Sequence, residues 1–328
     1  MTKWDIKGKQ RRNNKHCQRL YKGLYSSQNI ENERITDFLE GVKLNKLEEA
    51  DWVHLNPIMT NEECFKNTKD FQNNKTPGID GLGKAFYVEF WDIIGEDLTE
   101  VINNIYLTGE MTESMKTGII TLSYKNKGNF RDLKQWRPIS LLCFDYKIIT
   151  KTLTKKMAKV INQLIDVNQT GAGPNKNITE NIYGIDSIIE LMEINDWNGY
   201  LVSFDQEKAF DRVEHNYTIQ VLKKMNFPPG IIRWIEIIYK DIKSTIQING
   251  HLTKEIKIER SIRQGCSLSM TIYALIIEPL ASNIRNSKDI KGINLPNRKE
   301  KCALFQHADD CSTIITEISD YDHLVKRI

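Results

Sequence analysis

The sequence has few cysteines, and their spacing excludes the common cysteine-based architectures. The six cysteines are scattered, and none of them forms a Cys-x-x-Cys pair. This argues against a zinc ribbon and a disulfide framework, and it is typical of a reducing compartment. No apolar run is long enough to span a bilayer, and no apolar core follows the charged N-terminus as in a signal peptide. These absences predict an intracellular protein with no membrane partner.

The sequence also lacks a strong charge excess, because 46 Lys and Arg against 43 Asp and Glu leave a net charge of +3. That value does not argue for nucleic-acid binding by itself. The opening residues 1–22 are nevertheless basic, and Asp5 is their one acid. This stretch is either a basic arm on phosphate or a solvated, disordered leader, and it would permit nuclear import. Its basic residues are Lys3, Lys7, Lys9, Arg11, Arg12, Lys15, Arg19 and Lys22.

The length and the remaining composition predict a folded chain with more than one module. At 328 residues the chain is too long for one ordinary core. Hydrophobic residues make up 40% and charged residues 27%, which is typical of a globular protein. Neither an internal repeat nor a low-complexity tract is present.

Two predicted strands each end in a carboxylate. Residues 199–204 have the β-branched and aromatic content of a short buried strand, and Asp205 follows it. Residues 302–307 read as a second strand, and Asp309 and Asp310 follow that one. If the two strands lie side by side, their carboxylates could hold divalent metal. Two ions about 3.5–4 Å apart clamp the attacking and leaving oxygens of a phosphoryl transfer.

Basic and glycine-containing loops offer groups for phosphate or a nucleic-acid strand. Strands over 116–124 and 136–142 predict a hairpin with Lys125 near its tip and Arg137 on its return. Arginine pairs bidentately with phosphate oxygens, although Arg137 beside Trp136 could instead form a surface stack. The loop 73–81 is dense in turn formers and could hold a phosphate or be an ordinary connection. In the loop 263–269, Gly265 would allow a base or sugar to approach the backbone.

The other elements are read from hydrophobic periodicity and turn signals. A helix is predicted after Thr60, with a capping box to Glu63. A lysine-rich amphipathic helix is predicted over 145–164, whose charged face either tracks a nucleic-acid backbone or is merely solvated. Further helices are predicted over 86–106, 178–193, 213–225, 230–239 and from the loop 263–269 to 284, and a hairpin over 245–248 and 256–258.

Taken together, six stretches resemble the reverse transcriptase domain of LINE-type (non-LTR) retrotransposons. They occur in the family's order within roughly residues 55–316, and six in order are far more specific than any one. The stretches are Lys75-Thr76-Pro77-Gly78-Ile79-Asp80-Gly81-Leu82, Trp136-Arg137-Pro138-Ile139-Ser140-Leu141-Leu142, Asp145-Tyr146-Lys147, Phe204-Asp205-Gln206-Glu207-Lys208-Ala209-Phe210-Asp211, Arg263-Gln264-Gly265-Cys266 and Ala308-Asp309-Asp310.

The resemblance implies an α/β (α+β) fold with the fingers and palm of a right-hand polymerase. Residues 1–59 would be a linker-like extension, 60–195 the fingers-like part and 196–328 the palm-like part. The chain ends soon after the second carboxylate strand, so the expectation is an incomplete palm without thumb or primer grip. The implied activity is RNA-directed DNA synthesis from an RNA template, a DNA primer and dNTPs, with two Mg²⁺ ions or Mn²⁺ in their place. No oligomeric state is implied.

The resemblance also implies roles for individual residues. Asp205 and Asp309 would be the metal-binding catalytic carboxylates, and Asp310 would support them. The backbones of Phe204 and Gln206 would complete the metal shell. Lys125 and Arg137 would bind the incoming triphosphate. Phe210 would block a ribose 2′-hydroxyl. Gln264 and Gly265 would line the sugar and the templating base pair.

Several positions depart from the family's pattern. His307 stands where the family usually has an aromatic residue that contacts the primer end. Ser267 and Met270 replace usual prolines, and residues 174–177 replace a segment that usually carries an arginine. These departures and the early end support a rival interpretation, a truncated non-catalytic remnant that at most binds nucleic acid. A transition-metal cluster of His307, Asp309, Asp310 and Cys311 is a further alternative, since histidine and cysteine suit softer ions.

Overall fold

A computed structural model describes residues 3–294, 301–302 and 304–327, and it has the expected mixed α/β architecture. The helices are α1 (Lys3–Tyr25), α2 (Asn32–Glu40), α3 (Asn61–Lys69), α4 (Lys84–Glu89), α5 (Trp91–Thr108), α6 (Glu113–Lys116), α7 (Phe144–Met157), α8 (Ile161–Leu164), α9 (Ile178–Ile194), α10 (His215–Lys224), α11 (Pro229–Tyr239), α12 (Ser269–Arg285) and α13 (Ser319–Arg327). The strands are β1 (Thr117–Tyr124), β2 (Trp136–Leu141), β3 (Tyr200–Phe204), β4 (Lys243–Ile248), β5 (His251–Leu252), β6 (Ile256–Lys257), β7 (Ile293–Asn294), β8 (Lys301–Cys302), β9 (Leu304–His307) and β10 (Asp310–Ile315).

The larger sheet has the strand order β2-β1-β4-β5, and β6 also pairs with β4. β1 and β2 form the predicted antiparallel hairpin, in which Ser123 faces Arg137. β4 lies parallel to β1 on its other side. Asn249 and Gly250 then turn the chain into β5, and both have the positive φ that Asn-Gly hairpin turns require. The larger sheet therefore contains strands from both sides of position 196, the predicted boundary between the fingers-like and palm-like parts.

The smaller sheet has the order β3-β10-β9, and it corrects the predicted neighbour of β3. The partner is β10, which begins at Asp310, because Ala308 and Asp309 form a tight turn that folds β10 back between β9 and β3. Of the strand predicted over 302–307, Leu304–His307 is formed as β9, and Ala303 lies outside the described residues.

The prediction that β3 is buried is wrong. Tyr200 and Leu201 are 47% and 48% exposed, whereas Val202 and Phe204 pack against the core cluster that contains Ile284 and Leu304. β3 is the edge strand of its sheet. Val202 and Phe204 share the face that packs on this cluster, whereas Leu201 and Ser203 on the opposite face are exposed among the described residues.

The predicted helices have the expected positions, but two of them are divided. The helix predicted over 86–106 is interrupted at Phe90, whose φ of −100° and ψ of 11° end α4 before α5 begins. The helix predicted over 145–164 is divided into α7 and α8. The capping box that starts α3 is present, since Thr60 Oγ1 accepts the Glu63 amide at 3.2 Å and Glu63 Oε2 accepts the Thr60 amide at 3.2 Å.

The lysine-rich face of α7 is not uniformly solvated. Lys155 is exposed, but Lys156 is only 5% exposed. Its ammonium donates to the carbonyls of Asn56 and Ile58 at 2.7 Å each and pairs with Glu63 at 3.2 Å. Lys156 therefore ties the chain before α3 to α7, and it is not available to a nucleic-acid backbone.

The second half of the helix α1 packs on the core, which argues against a disordered leader for that part of the opening stretch. From its middle onward, Cys17, Tyr21 and Tyr25 are buried, and α1 contacts β4, β6 and the 3₁₀ turn Ala209–Arg212. The main core cluster runs from Cys17 to Ala308 and contains residues from all three predicted segments. The boundaries at residues 60 and 196 stay a prediction.

Within the residues that the structure describes, no helix combines the length and apolarity needed to cross a membrane.

The packing of α1 predicts a contrast between two substitutions of Tyr21, which is fully buried while its hydroxyl has no hydrogen-bond partner among the residues that the structure describes. Tyr21→Ala should lower the free energy of unfolding by about 3–5 kcal/mol, because it removes a buried aromatic ring. Tyr21→Phe should leave it unchanged or raise it by about 1 kcal/mol, because it removes a buried polar group without a partner. Urea unfolding followed by circular dichroism measures both. A Tyr21→Ala variant as stable as the parent would mean that α1 is not docked.

Candidate active site

The three predicted carboxylates lie at one edge of the smaller sheet. The β9–β10 turn carries Asp309, and the register pairs Asp310 with His307. In the neighbouring pair, Cys311 lies opposite Phe204, so the end of β3 brings Asp205 to the same edge. Asp205 and Asp310 are exposed, and Asp309 is partly buried.

The electrostatics agree with this proximity. Burial raises the pKa of Asp309 above its ordinary value, and the nearby charges of Asp310 and Asp205 raise it further. The Arg137 guanidinium acts in the opposite direction. A cation beside these carboxylates would offset the repulsion at Asp309, and carboxylate oxygens are the donors that hard divalent ions prefer. The residues present at this edge therefore fit a divalent metal.

The predicted backbone ligands flank Asp205. Phe204 is the last residue of β3, and Gln206 is the first residue after Asp205. The Gln206 carbonyl accepts the Ala209 amide at 3.2 Å, which leaves one of its two lone pairs. The Gln206 side chain accepts the Tyr273 hydroxyl at 2.8 Å. This contact fixes Gln206 against α12.

Phe210 is held by stacking. Its ring lies on Tyr273 with 4.3 Å between ring centroids and 21° between planes. Its carbonyl accepts the Ile262 amide at 2.8 Å. Both contacts restrict the ring, so its position relative to Asp205 is set by α12 and by the chain before Arg263.

The β1–β2 hairpin carries both predicted cations, and each acts electrostatically on an aspartate of the later part of the chain. Arg137 is exposed on β2 and acts electrostatically on Asp309. Lys125 is exposed just past β1, and its charge acts on Lys208 and Asp211. The Trp136 ring packs on Tyr124 at 5.3 Å between centroids. Trp136 therefore has its own aromatic partner within the hairpin.

Gln264 and Gly265 join the loop before α12 to β2. The Gln264 carbonyl accepts the Ser140 amide at 2.7 Å. Gly265 has a φ of +107°, and a Cβ there would lie 2.5 Å from the Ser140 carbonyl oxygen. Gly265 also lines a cavity of about 710 Å³ with the loop 72–77 and Lys147. Only glycine fits this close approach.

The sequence assigned no individual role to Asp211 and Lys208, which lie shortly after Asp205. Asp211 is 2% exposed, and its carboxylate accepts the Tyr25 hydroxyl at 3.4 Å and the Gln264 amide at 3.3 Å. Burial raises its pKa to about 6, while the Lys208 ammonium lowers it. Lys208 has a positive φ of 58°. The available signal was a second aspartate six residues after Asp205, in a segment too polar for a core.

The transition-metal alternative is not supported. Cys311 is 2% exposed, and its sulfur accepts the Gln306 side-chain amide at 3.2 Å, away from the exposed Asp310. Among the described residues, one group of three potential ligands has its ligand atoms within 4.8 Å of one another, namely Asp80, Cys143 and Asp145. That group lies where the loop 73–81 meets the start of α7, and it contains none of the predicted metal ligands.

Comparison with known proteins identifies the family. A family model described as reverse transcriptase (RNA-dependent DNA polymerase) matches residues 124–328, well over half of the chain. The chain belongs to the reverse transcriptase family. The predicted resemblance is thereby confirmed.

The similar proteins come from non-LTR retrotransposons. The chain is 30% identical over 303 residues to the "Transposon TX1 uncharacterized 149 kDa protein" of Xenopus laevis, covering 92% of this chain and 23% of that protein. It is 24% identical over 195 residues to the Pol polyprotein of the type-1 element R2 of Popillia japonica, covering 59% of this chain and 27% of that protein. It is 22% identical over 245 residues to the RNA-directed DNA polymerase of the Drosophila melanogaster element jockey, covering 73% of this chain and 25% of that protein. The chain thus spans about a quarter of the length of these relatives.

The residues that depart from the reverse transcriptase pattern have defined places. His307 Nδ1 lies 3.1 Å from the Thr170 hydroxyl. Met270 is 39% exposed near the start of α12, and Ser267 precedes it in the partly buried loop. In the segment 174–177, the Lys176 ammonium donates to the carbonyls of Asp166 at 2.6 Å and Gln169 at 3.0 Å. Lys176 therefore binds the connector before α9.

The raised pKa of Asp211 predicts a pH-dependent effect of Asp211→Asn. Because the folded-state pKa of about 6 exceeds the ordinary value of 3.8, the native state binds more protons in this interval. The parent should lose stability as pH rises from about 4 to about 6. Asparagine does not titrate, so the variant should gain on the parent by roughly 1–3 kcal/mol across that window.

The measurement is the free energy of unfolding in urea at a series of pH values for both proteins. Asp145, whose pKa burial also raises to about 6, is present in both and cancels in the difference. Any part of the difference between the two proteins that does not vary with pH would reflect changed hydrogen bonds. Parallel curves across the whole window would contradict the assignment of a raised pKa to Asp211.

Proposed function

We propose that this chain is an RNA-directed DNA polymerase that adds dNTPs to a DNA primer 3′-hydroxyl on an RNA template. The observation that carries the proposal is the meeting of Asp205, Asp309 and Asp310 at one sheet edge beside Arg137, in a member of the reverse transcriptase family. The names of relatives such as the jockey polymerase support the same activity.

The metal-binding part of the proposal assigns Asp205 and Asp309 as ligands, with Asp310 in support. The carbonyls of Phe204 and Gln206 would complete the shell. Two Mg²⁺ ions, or Mn²⁺ in their place, would supply positive charge to the attacking hydroxyl and to the leaving pyrophosphate. The carboxylates would orient those charges towards the primer end, and the mutual repulsion at Asp309 supports this use of the edge.

The nucleotide-binding part assigns the β1–β2 hairpin to the triphosphate. Arg137 and Lys125 are exposed cations on this hairpin, so they are free to approach phosphate oxygens. Catalysis would then consist of positioning and electrostatic stabilisation of the charge that develops on phosphate.

The sugar and base would lie between Phe210 and the loop that holds Gln264 and Gly265. The stacking of Phe210 on Tyr273 supports a role as a rigid barrier to a ribose 2′-hydroxyl. The close approach of Gly265 to Ser140 and the adjoining cavity support a surface for the templating base pair. Residues 60–195 would act as fingers and residues 196–328 as palm, with residues 1–59 as an extension.

The central test is primer extension by the purified chain on an RNA template with Mg²⁺ and dNTPs. Asp205→Asn keeps the side-chain shape but removes the charge, so extension should fall by at least about 100-fold. The matched control is Glu207→Gln, which removes an exposed carboxylate two residues away that pairs with Arg212. It should keep near-parental activity.

If the parent chain is folded but does not extend the primer, the polymerase proposal fails for this chain. The departures at His307, Ser267 and Met270 would then favour a remnant that only binds nucleic acid. Fluorescence anisotropy with a labelled RNA–DNA hybrid would identify that outcome.

The assignment of Phe210 predicts a change in sugar selection. Phe210→Val should lower the preference for dNTPs over rNTPs by at least about tenfold, because a smaller side chain no longer clashes with the 2′-hydroxyl. The measurement is the ratio of kcat/KM for dGTP and GTP with the same variant, so that any general loss of folding affects both values. An unchanged ratio would refute the role of Phe210.

A further inference from the structure

We propose that Gln169 is a positioning residue for Asp309, acting through the backbone of the β9–β10 turn. The inference rests on the proposed function of Asp309 and extends it to the connector 168–171, which precedes α9. The connector lies outside the sequence motifs described above.

The turn that carries Asp309 has an unfavourable backbone. Ala308 has a φ of 56°, in the left-handed region that residues with a Cβ rarely adopt. The neighbouring Asp309 must keep its position although Asp205 and Asp310 repel it. Surrounding contacts have to impose both features, because a free alanine would leave this conformation.

Gln169 supplies the contact at Ala308. It is fully buried, and its Oε1 accepts the Ala308 amide at 3.0 Å and the Gly171 amide at 2.9 Å. Both acceptor positions of this oxygen are therefore used. Its Nε2 has no hydrogen-bond partner among the described residues. The side chain is thus held for its oxygen, which faces the turn.

The backbone around Gln169 is fitted to the same strand. The Thr170 amide donates to the Gln306 carbonyl at 2.9 Å, and the Gln306 amide donates to the Asn168 carbonyl at 3.0 Å. The connector therefore continues the sheet beyond β9. A Cβ at Gly171 would lie 2.4 Å from the Ala308 nitrogen, so this position needs glycine for the approach.

A second set of contacts supports the connector. The Lys176 ammonium donates to the Gln169 carbonyl at 3.0 Å. From α9, the Asn181 amide donates to the Thr170 hydroxyl at 3.0 Å and to the Gln306 carbonyl at 2.7 Å. The Thr170 hydroxyl in turn contacts His307 Nδ1 at 3.1 Å. The connector thus holds Gln306 and His307, the two residues before Ala308, in addition to the Ala308 amide.

The first test measures the turn itself and does not depend on polymerase activity. Gln169→Met keeps length and removes the acceptor, so hydrogen exchange of the Ala308 amide should rise roughly tenfold, as expected for one lost hydrogen bond. The matched control is Asn67→Leu in α3. It removes a buried side-chain amide that donates to the Thr152 hydroxyl at 3.0 Å. It should leave exchange at Ala308 unchanged.

The second test measures metal use. In Gln169→Met, the Mg²⁺ concentration for half-maximal primer extension and the Kd for Mn²⁺ by electron paramagnetic resonance should rise roughly 10-fold to 100-fold. The KM for the primer–template should stay the same. Adding Ala308→Gly should restore part of both values, because glycine adopts a positive φ without support.

These readouts separate the two proposals. If the parent does not polymerise, the exchange and Mn²⁺ measurements still test the role of Gln169. Unchanged exchange at Ala308 and unchanged Mn²⁺ affinity in Gln169→Met would overturn it. If Gln169→Met does not fold, Gly171→Ala disturbs the same amide from the other side and should give the same changes. Parental exchange and Mn²⁺ affinity in that variant would also overturn the proposal.

Discussion

The constraint on which the rest of the structure depends is the repulsion that Asp309 experiences from two neighbouring carboxylates at one sheet edge. Asp205 and Asp310 both repel Asp309, and partial burial of Asp309 adds to the unfavourable energy of its charged form. A fold that keeps these groups together needs rigid backbone beneath them and positive charge above them. β10 supplies the rigid element, because it pairs with β3 and β9 and so fixes the spacing of both strand ends.

The positive charge comes from a different sheet. Arg137 lies on the β1–β2 hairpin, and that hairpin is joined to the later part of the chain by the parallel pairing of β1 with β4. The Ser140 amide bound to the Gln264 carbonyl makes a second connection. Any movement of the hairpin would therefore disturb the loop that holds Gly265, and with it the surface proposed for the nucleotide. Hydrogen bonds at both places thus fix the hairpin to the later part of the chain.

The sequence was sufficient for features that depend on local chemistry. Residue order and turn signals predicted the β1–β2 hairpin, the Asn249-Gly250 turn, the capping box at Thr60 and the strand end at Asp205. It was not sufficient where the outcome depends on contacts between distant segments. Hydrophobic content alone does not reveal that β3 is an edge strand, and nothing local distinguishes the buried Lys156 from its exposed neighbour Lys155. Gln169 was missed for the same reason, since its partner Ala308 is 139 residues away.

The buried Asp211 shows how the opening helix becomes part of this arrangement. An aspartate with its pKa raised by burial is unfavourable when charged, and its partners reduce that penalty. One partner, the Tyr25 hydroxyl, comes from the end of α1, and another, the Gln264 amide, comes from the loop beside Gly265. Because one carboxylate accepts from both, the position of the loop depends on α1 being docked. A segment with no catalytic chemistry of its own thus helps to determine the geometry of the proposed nucleotide site.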